Sequence, residues 1–166
     1  PKQKKLIIPD CKRFTGYKPC FPGKVCYTGC VEHQPMGKRI LIVNLDAMGA
    51  VVQTTAMLPA IKRKYPNSHI SWITLKNAYR LLDNNPYLDA AYVWEPENWM
   101  ILQQMEFDIV YQTDKTKRSC AFGQSLKTKE LIGFGLNGNG KIIPLNKEAE
   151  FSYILGLDDE LKFRKN

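Results

Sequence analysis

The sequence predicts an α/β protein built on a doubly wound parallel sheet, and three observations lead there. From Lys38 onward, short apolar runs alternate with stretches of helical pattern, the signature of a parallel sheet with helices packed on its faces. The first run, Arg39-Ile40-Leu41-Ile42-Val43-Asn44, is continuously apolar after a basic start, as befits a strand covered on both faces. The chain has 166 residues, 44% of them hydrophobic and 24% charged, which is enough for one main domain with a sizeable core.

The elements follow in order. Ala47-Met48-Gly49-Ala50 makes a turn after the first strand, and Val51 to Lys64 reads as a helix. Pro59 should kink or divide that helix, and Tyr65-Pro66-Asn67 ends it. His69 to Thr74 is a second strand, and Asn77 to Leu82 a short helix stopped by Asp83-Asn84-Asn85-Pro86. Ala90 to Trp94 is a third strand, Glu97 to Met105 a helix, and Phe107 to Tyr111 a fourth strand. Lys117 to Leu126 is helical and Glu130 to Phe134 is a fifth strand. Asn137-Gly138-Asn139-Gly140 is a strong turn signal ahead of Lys141-Ile142-Ile143-Pro144, and Ala149 to Leu155 is a last helix.

Residues 1–37 have a different texture, rich in Cys, Pro, Gly and Lys with little periodicity, and form a separate unit ahead of the 38–166 domain. Cys11, Cys20, Cys26 and Cys30 fall in one short segment, with Pro19, Pro22, Gly23 and Gly29 supplying turns. Four soft ligands at loop spacing can enclose a metal ion, zinc by first choice, with an iron–sulfur cluster as the alternative. Two disulfides are the competing arrangement, disfavoured where thiols stay reduced. Cys120 stands apart in a helix and reads as a buried, inert thiol; His69, at the start of a strand, reads as structural.

Net charge is +8, which suits phosphate-bearing partners. The densest internal run, Lys62-Arg63-Lys64, lies late in a helix, and no aromatic RNA-binding motif or two-Cys, two-His finger accompanies it. Nucleic acid is therefore not an expected partner. No apolar run approaches the ~18 residues of a membrane span, and the apolar part of the N-terminus is too short for a signal-peptide core. The expected compartment is the cytoplasm.

In doubly wound sheets, ligands bind beyond the carboxyl ends of the strands. That points to two loops, Asn44 to Ala50 after the first strand and Gln112-Thr113-Asp114-Lys115 after the fourth. Gly49 permits close backbone approach at a helix N-terminus, although neither a three-glycine dinucleotide fingerprint nor a phosphate-binding P-loop is present. Thr113 or Asp114 also reads as a helix N-cap.

The stretch Arg39 to Pro66, with Asn44-Leu45-Asp46-Ala47-Met48-Gly49-Ala50 at its centre, resembles the opening of glycosyltransferase family 9, the lipopolysaccharide heptosyltransferases. Ile70 to Thr74, Leu82 to Asp89 and Phe107 to Val110 continue the likeness, which extends over about residues 38–157. The resemblance implies a GT-B architecture, two Rossmann-like domains facing a cleft, with this chain as the acceptor-side half. A nucleotide-sugar donor would bind a C-terminal domain expected to follow Asn166, so the chain alone should not be a competent transferase. The acceptor would be a cell-envelope glycan or glycolipid, met in the cytoplasm or at the inner membrane face. The family carries Leu-Gly-Asp where this chain has Met48-Gly49-Ala50, and the aspartate is the expected general base. The Ala50 methyl cannot take a proton, which leaves Asp46 and Asp114 as candidate bases. Gly49, Ala50, Thr54 and Lys115 are the corresponding substrate-binding candidates. The alternative is a degenerate module, its catalysis lost with Ala50, that binds a glycan or a protein and is stabilised by a four-cysteine metal site.

Overall fold

In a computed structural model of the chain, the described residues are 6–22, 25–27, 30, 33–45 and 54–158. The strands are β1 (Lys38–Val43), β2 (Ser68–Thr74), β3 (Ala90–Val93), β4 (Glu106–Gln112), β5 (Lys127–Leu136) and β6 (Ile142–Pro144). The helices are α1 (Leu58–Lys64), α2 (Lys76–Tyr79), α3 (Pro96–Gln104), α4 (Lys117–Ser125) and α5 (Lys147–Leu157). The sheet runs β3-β2-β1-β4-β5-β6. β1 pairs in parallel with both β2 and β4, and β3 and β5 extend the parallel sheet outward.

Successive residues of β1 serve opposite faces, as strand geometry requires. Ile40 and Ile42 join Leu58, Ile61, Ile70, Trp72 and Leu82 on the face covered by α1 and α2. Leu41 and Val43 join Ile73, Leu102, Phe107, Val110 and Phe122 on the face covered by α3 and α4. All four β1 side chains are fully buried, each worth about 1.5–3 kcal/mol of transfer free energy. Both faces are thus wound, and the winding reverses between β1 and β4.

Pro59 divides its helical stretch. Thr54 and Thr55 are helical, Ala56 and Met57 form a turn, and α1 restarts at Leu58 with Pro59 in its first turn, where the missing N–H costs nothing. Lys62, Arg63 and Lys64 occupy the last turn of α1 and complement its dipole; Lys62 Nζ also donates to the Ser68 carbonyl at 3.2 Å. Asn84 ends the α2 region at φ 60°, a conformation asparagine tolerates.

One departure from an all-parallel sheet comes after Leu136. Asn137 Oδ1 accepts from the amides of Asn139 (2.9 Å) and Lys141 (3.0 Å), and Gly140 takes φ 71°. The chain turns back on itself, so β6 pairs antiparallel with β5. A short loop permits only a hairpin, because a parallel return needs a long crossover.

The amino ends of the strands are clipped by Asp108. Its Oδ2 accepts from the Arg39 amide at 2.9 Å and Arg39 Nε at 3.4 Å, and its Oδ1 faces Lys129 Nζ at 3.3 Å. The Arg39 amide is the main cause, ahead of the Arg39 and Lys129 side chains, that holds this carboxyl down to about 2 from its ordinary 3.8. A carboxyl depressed in the folded state stabilises the fold above its unfolded value and loses that contribution as pH falls through the folded one. The acid limb of the stability curve between about pH 4 and pH 2 should therefore be shallower in Asp108→Asn than in the native chain, as read by urea denaturation across that range.

Gly133 in β5 has φ 123°, and a Cβ there would meet the Gln112 carbonyl oxygen at 1.8 Å. Gly133→Ala should cost about 1–3 kcal/mol or more. Gly138→Ala, where nothing lies within 4 Å, should be near neutral, and denaturant midpoints of the two variants decide the matter.

Candidate functional site at the switch point

The point where the winding reverses is where such sheets open a crevice, and here it lies between the carboxyl ends of β1 and β4. Asp114 and Leu45, far apart in sequence, meet there: the Leu45 amide donates to Asp114 Oδ2 at 2.5 Å, and Ser119 Oγ donates to the same oxygen at 3.0 Å. The Thr113 amide donates to the Val43 carbonyl at 3.2 Å, with Thr113 Oγ1 on the same acceptor at 3.3 Å. Asp114 is only 5% exposed and Leu45 is fully buried.

Behind Asp114, Gln112 forms a buried clamp. Its Oε1 accepts from the Asp114 amide at 2.7 Å, and its Nε2 donates to the carbonyls of Asp114 (2.8 Å) and Phe134 (3.0 Å). Cys120 Sγ lies 3.3 Å from the same nitrogen; burial raises this thiol's pKa above its ordinary value, and it is inert packing, as its helical setting suggests.

On the β1 side, Asn44 is 2% exposed and its Nδ2 donates to Thr54 Oγ1 at 2.6 Å. The Asn44 carbonyl accepts from Trp72 Nε1 at 3.4 Å. Asn44 Oδ1 and Thr74 Oγ1, both buried at the ends of parallel strands, have no hydrogen-bond partner among the described residues. Burying a polar atom without a partner is costly, and both atoms lie at the crevice.

Two hollows adjoin this rim. One, of about 180 Å3, is lined by Met57, Tyr111, Thr113, Gly133, Asn146 and Ser152. The other, of about 320 Å3, is lined by Lys115, Lys117, Lys141, Tyr153 and Leu157. Lys115 joins them, because its Nζ donates to the Ser152 carbonyl at 2.6 Å and lies 5.5 Å from the Phe134 ring centre.

Of the sequence-predicted site residues, Thr54, Asp114 and Lys115 are brought to one rim. Asp46, Gly49 and Ala50 lie outside the described residues. The expected N-cap is corrected: α4 begins at Lys117, and Thr116 caps it by accepting from the Ser119 amide at 3.4 Å. Thr113 contacts the end of β1, and Asp114 bridges the Leu45 amide and the Ser119 hydroxyl of α4. Asn44 and Gln112 open the two loops to which the sequence points, but neither is among its candidate site residues, and Ser119 carried no signal.

The cysteine segment lies at the opposite rim. Lys12 Nζ donates to the Ser68 carbonyl at 2.5 Å and to Asp89 Oδ1 at 3.3 Å, at the amino ends of β2 and β3. Cys11, Cys20, Cys26 and Cys30 are free thiols that line one cavity of about 20 Å3 with His33. Among the described residues, no group of three or more His, Cys, Asp or Glu side chains stands close enough as it is to hold a metal ion. Among the same residues, no helix is long and apolar enough to cross a membrane.

This fold recurs among sugar-transferring enzymes. A glycosyl transferase family 9 structure from Veillonella parvula matches 59% of this chain and 32% of its own, with TM-score 0.52 and 22% identity. E. coli ADP-heptose LPS heptosyltransferase II matches 62% of this chain and 32% of its own, with TM-score 0.51 and 16% identity. In sequence, the lipopolysaccharide core heptosyltransferase OpsX of Haemophilus influenzae is 28% identical over 105 residues, 59% of this chain. The chain thus resembles the family 9 heptosyltransferases in both sequence and fold, and it spans about a third of the length of these relatives. No protein-family model matches it.

Removing the Asp114 carboxylate strands a buried amide and a buried hydroxyl. Asp114→Ala should cost about 1–3 kcal/mol and speed hydrogen exchange at the Leu45 amide, measurable by urea denaturation and NMR exchange.

Proposed function

We propose that this chain is the acceptor-side domain of a heptosyltransferase-like glycosyltransferase. Its substrate is a cell-envelope glycan or lipopolysaccharide, and a nucleotide-sugar donor is supplied by a second domain. The observation that carries this reading is the braced switch-point rim, set within a chain that is 28% identical to a lipopolysaccharide core heptosyltransferase over 105 residues. The three lysines of the larger hollow support an anionic acceptor, because an ammonium-lined groove favours phosphate or carboxylate groups. The same charge would seat a phosphorylated glycolipid at an anionic membrane face.

In this mechanism the acceptor hydroxyl lies over the carboxyl ends of β1 and β4. Asp114 is committed to the Leu45 amide and Ser119, so it acts as a positioning residue that sets the course of the loop after β1. That loop carries Asp46, which takes the proton from the hydroxyl as it attacks the anomeric carbon while the nucleotide diphosphate departs. Thr54, held by Asn44, and Lys115 orient the acceptor. Transfer of this kind proceeds without a bound metal where helix N-termini and basic groups hold the phosphates.

The test is nucleotide release from an ADP-heptose donor in the presence of a lipopolysaccharide-core acceptor, using the polypeptide that carries this chain together with its donor domain. Asp46→Asn should lower kcat about 10²–10⁴-fold with KM little changed. Acceptor binding without any transfer by the native protein would overturn the transferase reading in favour of the degenerate binding module to which Ala50 points.

A further inference from the structure

We propose that Cys11, Cys20, Cys26 and Cys30 close around a single structural zinc ion that staples the N-terminal segment to the amino rim of the sheet. All four cysteines line one cavity although eighteen residues lie between the first and the last, and none is spent in a disulfide. The cavity, about 20 Å3, has the size of one small occupant, which suits a lone ion rather than a cluster with its own sulfides.

The backbone around the thiols is arranged for the same purpose. Cys11 and Cys30 each open a tight turn, with the Phe14 amide donating to the Cys11 carbonyl at 3.1 Å and the His33 amide to that of Cys30 at 3.3 Å. The Gln34 amide donates to Cys11 Sγ at 3.4 Å. Four thiolates on one divalent ion leave excess negative charge, and N–H donors to sulfur offset it. The His33 ring is hydrogen-bonded to the Asp10 carbonyl, so the four sulfurs complete a tetrahedral set without it.

The segment also needs a crosslink. Leu6, Ile8, Tyr17 and Phe21 are all more than 60% exposed, so the described residues of the segment bury little apolar surface to offset its ordering entropy. The thiols do not stand close enough as they are to hold an ion, so binding has to draw them together, with the ion itself supplying the closing energy. Once closed, the site has no open coordination position. The Lys12 contacts to Ser68 and Asp89 place it at the far end of the strands from the crevice, so its role is independent of the transfer reaction proposed above.

The chain, purified without added chelator, should carry about one zinc per molecule by elemental analysis. Cobalt substitution should give the intense visible bands of a tetrahedral cobalt thiolate, a spectrum that needs no variant. Cys20→Ser and Cys26→Ser should each lose most of the zinc, while Cys120→Ser retains it. Chelation should render the four knuckle thiols reactive to a thiol reagent. Two disulfides, bound iron with labile sulfide, or zinc retained in both knuckle variants would each overturn the proposal.

Discussion

The carboxylate of Asp114, held against the Leu45 amide at 2.5 Å, is the contact on which the candidate site depends. β1 ends between two parallel neighbours: the Asn44 amide still donates to the Ile73 carbonyl at 3.3 Å, and the Leu45 amide is the first to lie beyond the ladder. A buried amide there must find an acceptor. Asp114 supplies it from the end of β4, and in doing so ties together the two loops that border the crevice. Because Gln112 holds Asp114 from behind through both its side-chain atoms, the brace is fixed before any ligand arrives. Such preorganisation would serve the transfer reaction proposed above, since reorganisation on binding would consume interaction energy.

The same constraint explains why Gly133 stands where it does. Gln112 must bring its main chain close to β5 to reach the Phe134 carbonyl with its side chain, and a Cβ at position 133 would collide with the Gln112 carbonyl. The close approach of β4 and β5, the Gln112 clamp and the Asp114 brace therefore form one continuous unit.

Much of this architecture was legible in the sequence because continuous apolar runs such as Arg39 to Val43 have only one comfortable place, the middle of a sheet covered twice. The loops at the carboxyl rim were legible for the same topological reason. The antiparallel return of β6 was half legible: Asn137-Gly138-Asn139-Gly140 announces a turn, but only pairing shows which way the next strand runs. The task of Asp114 was not legible. Its partner Leu45 lies in another loop, and a local reading offers helix capping first, a role that belongs to Thr116. The buried clamp of Gln112 was hidden for a similar reason, since glutamine at a strand end is ordinarily solvated.

The two ends of the sheet divide the labour. Strands of six or seven residues separate the rims by about 20 Å, far beyond the reach of a side chain. The amino rim gathers the fastenings: Asp108 across β1, β4 and β5, Lys62 and Lys12 on the Ser68 carbonyl, and Lys12 on Asp89. The carboxyl rim gathers buried polar atoms that have no hydrogen-bond partner among the described residues, and the lysine-lined hollow. The amino-rim fastenings and the candidate site thus rest on different residues, about 20 Å apart.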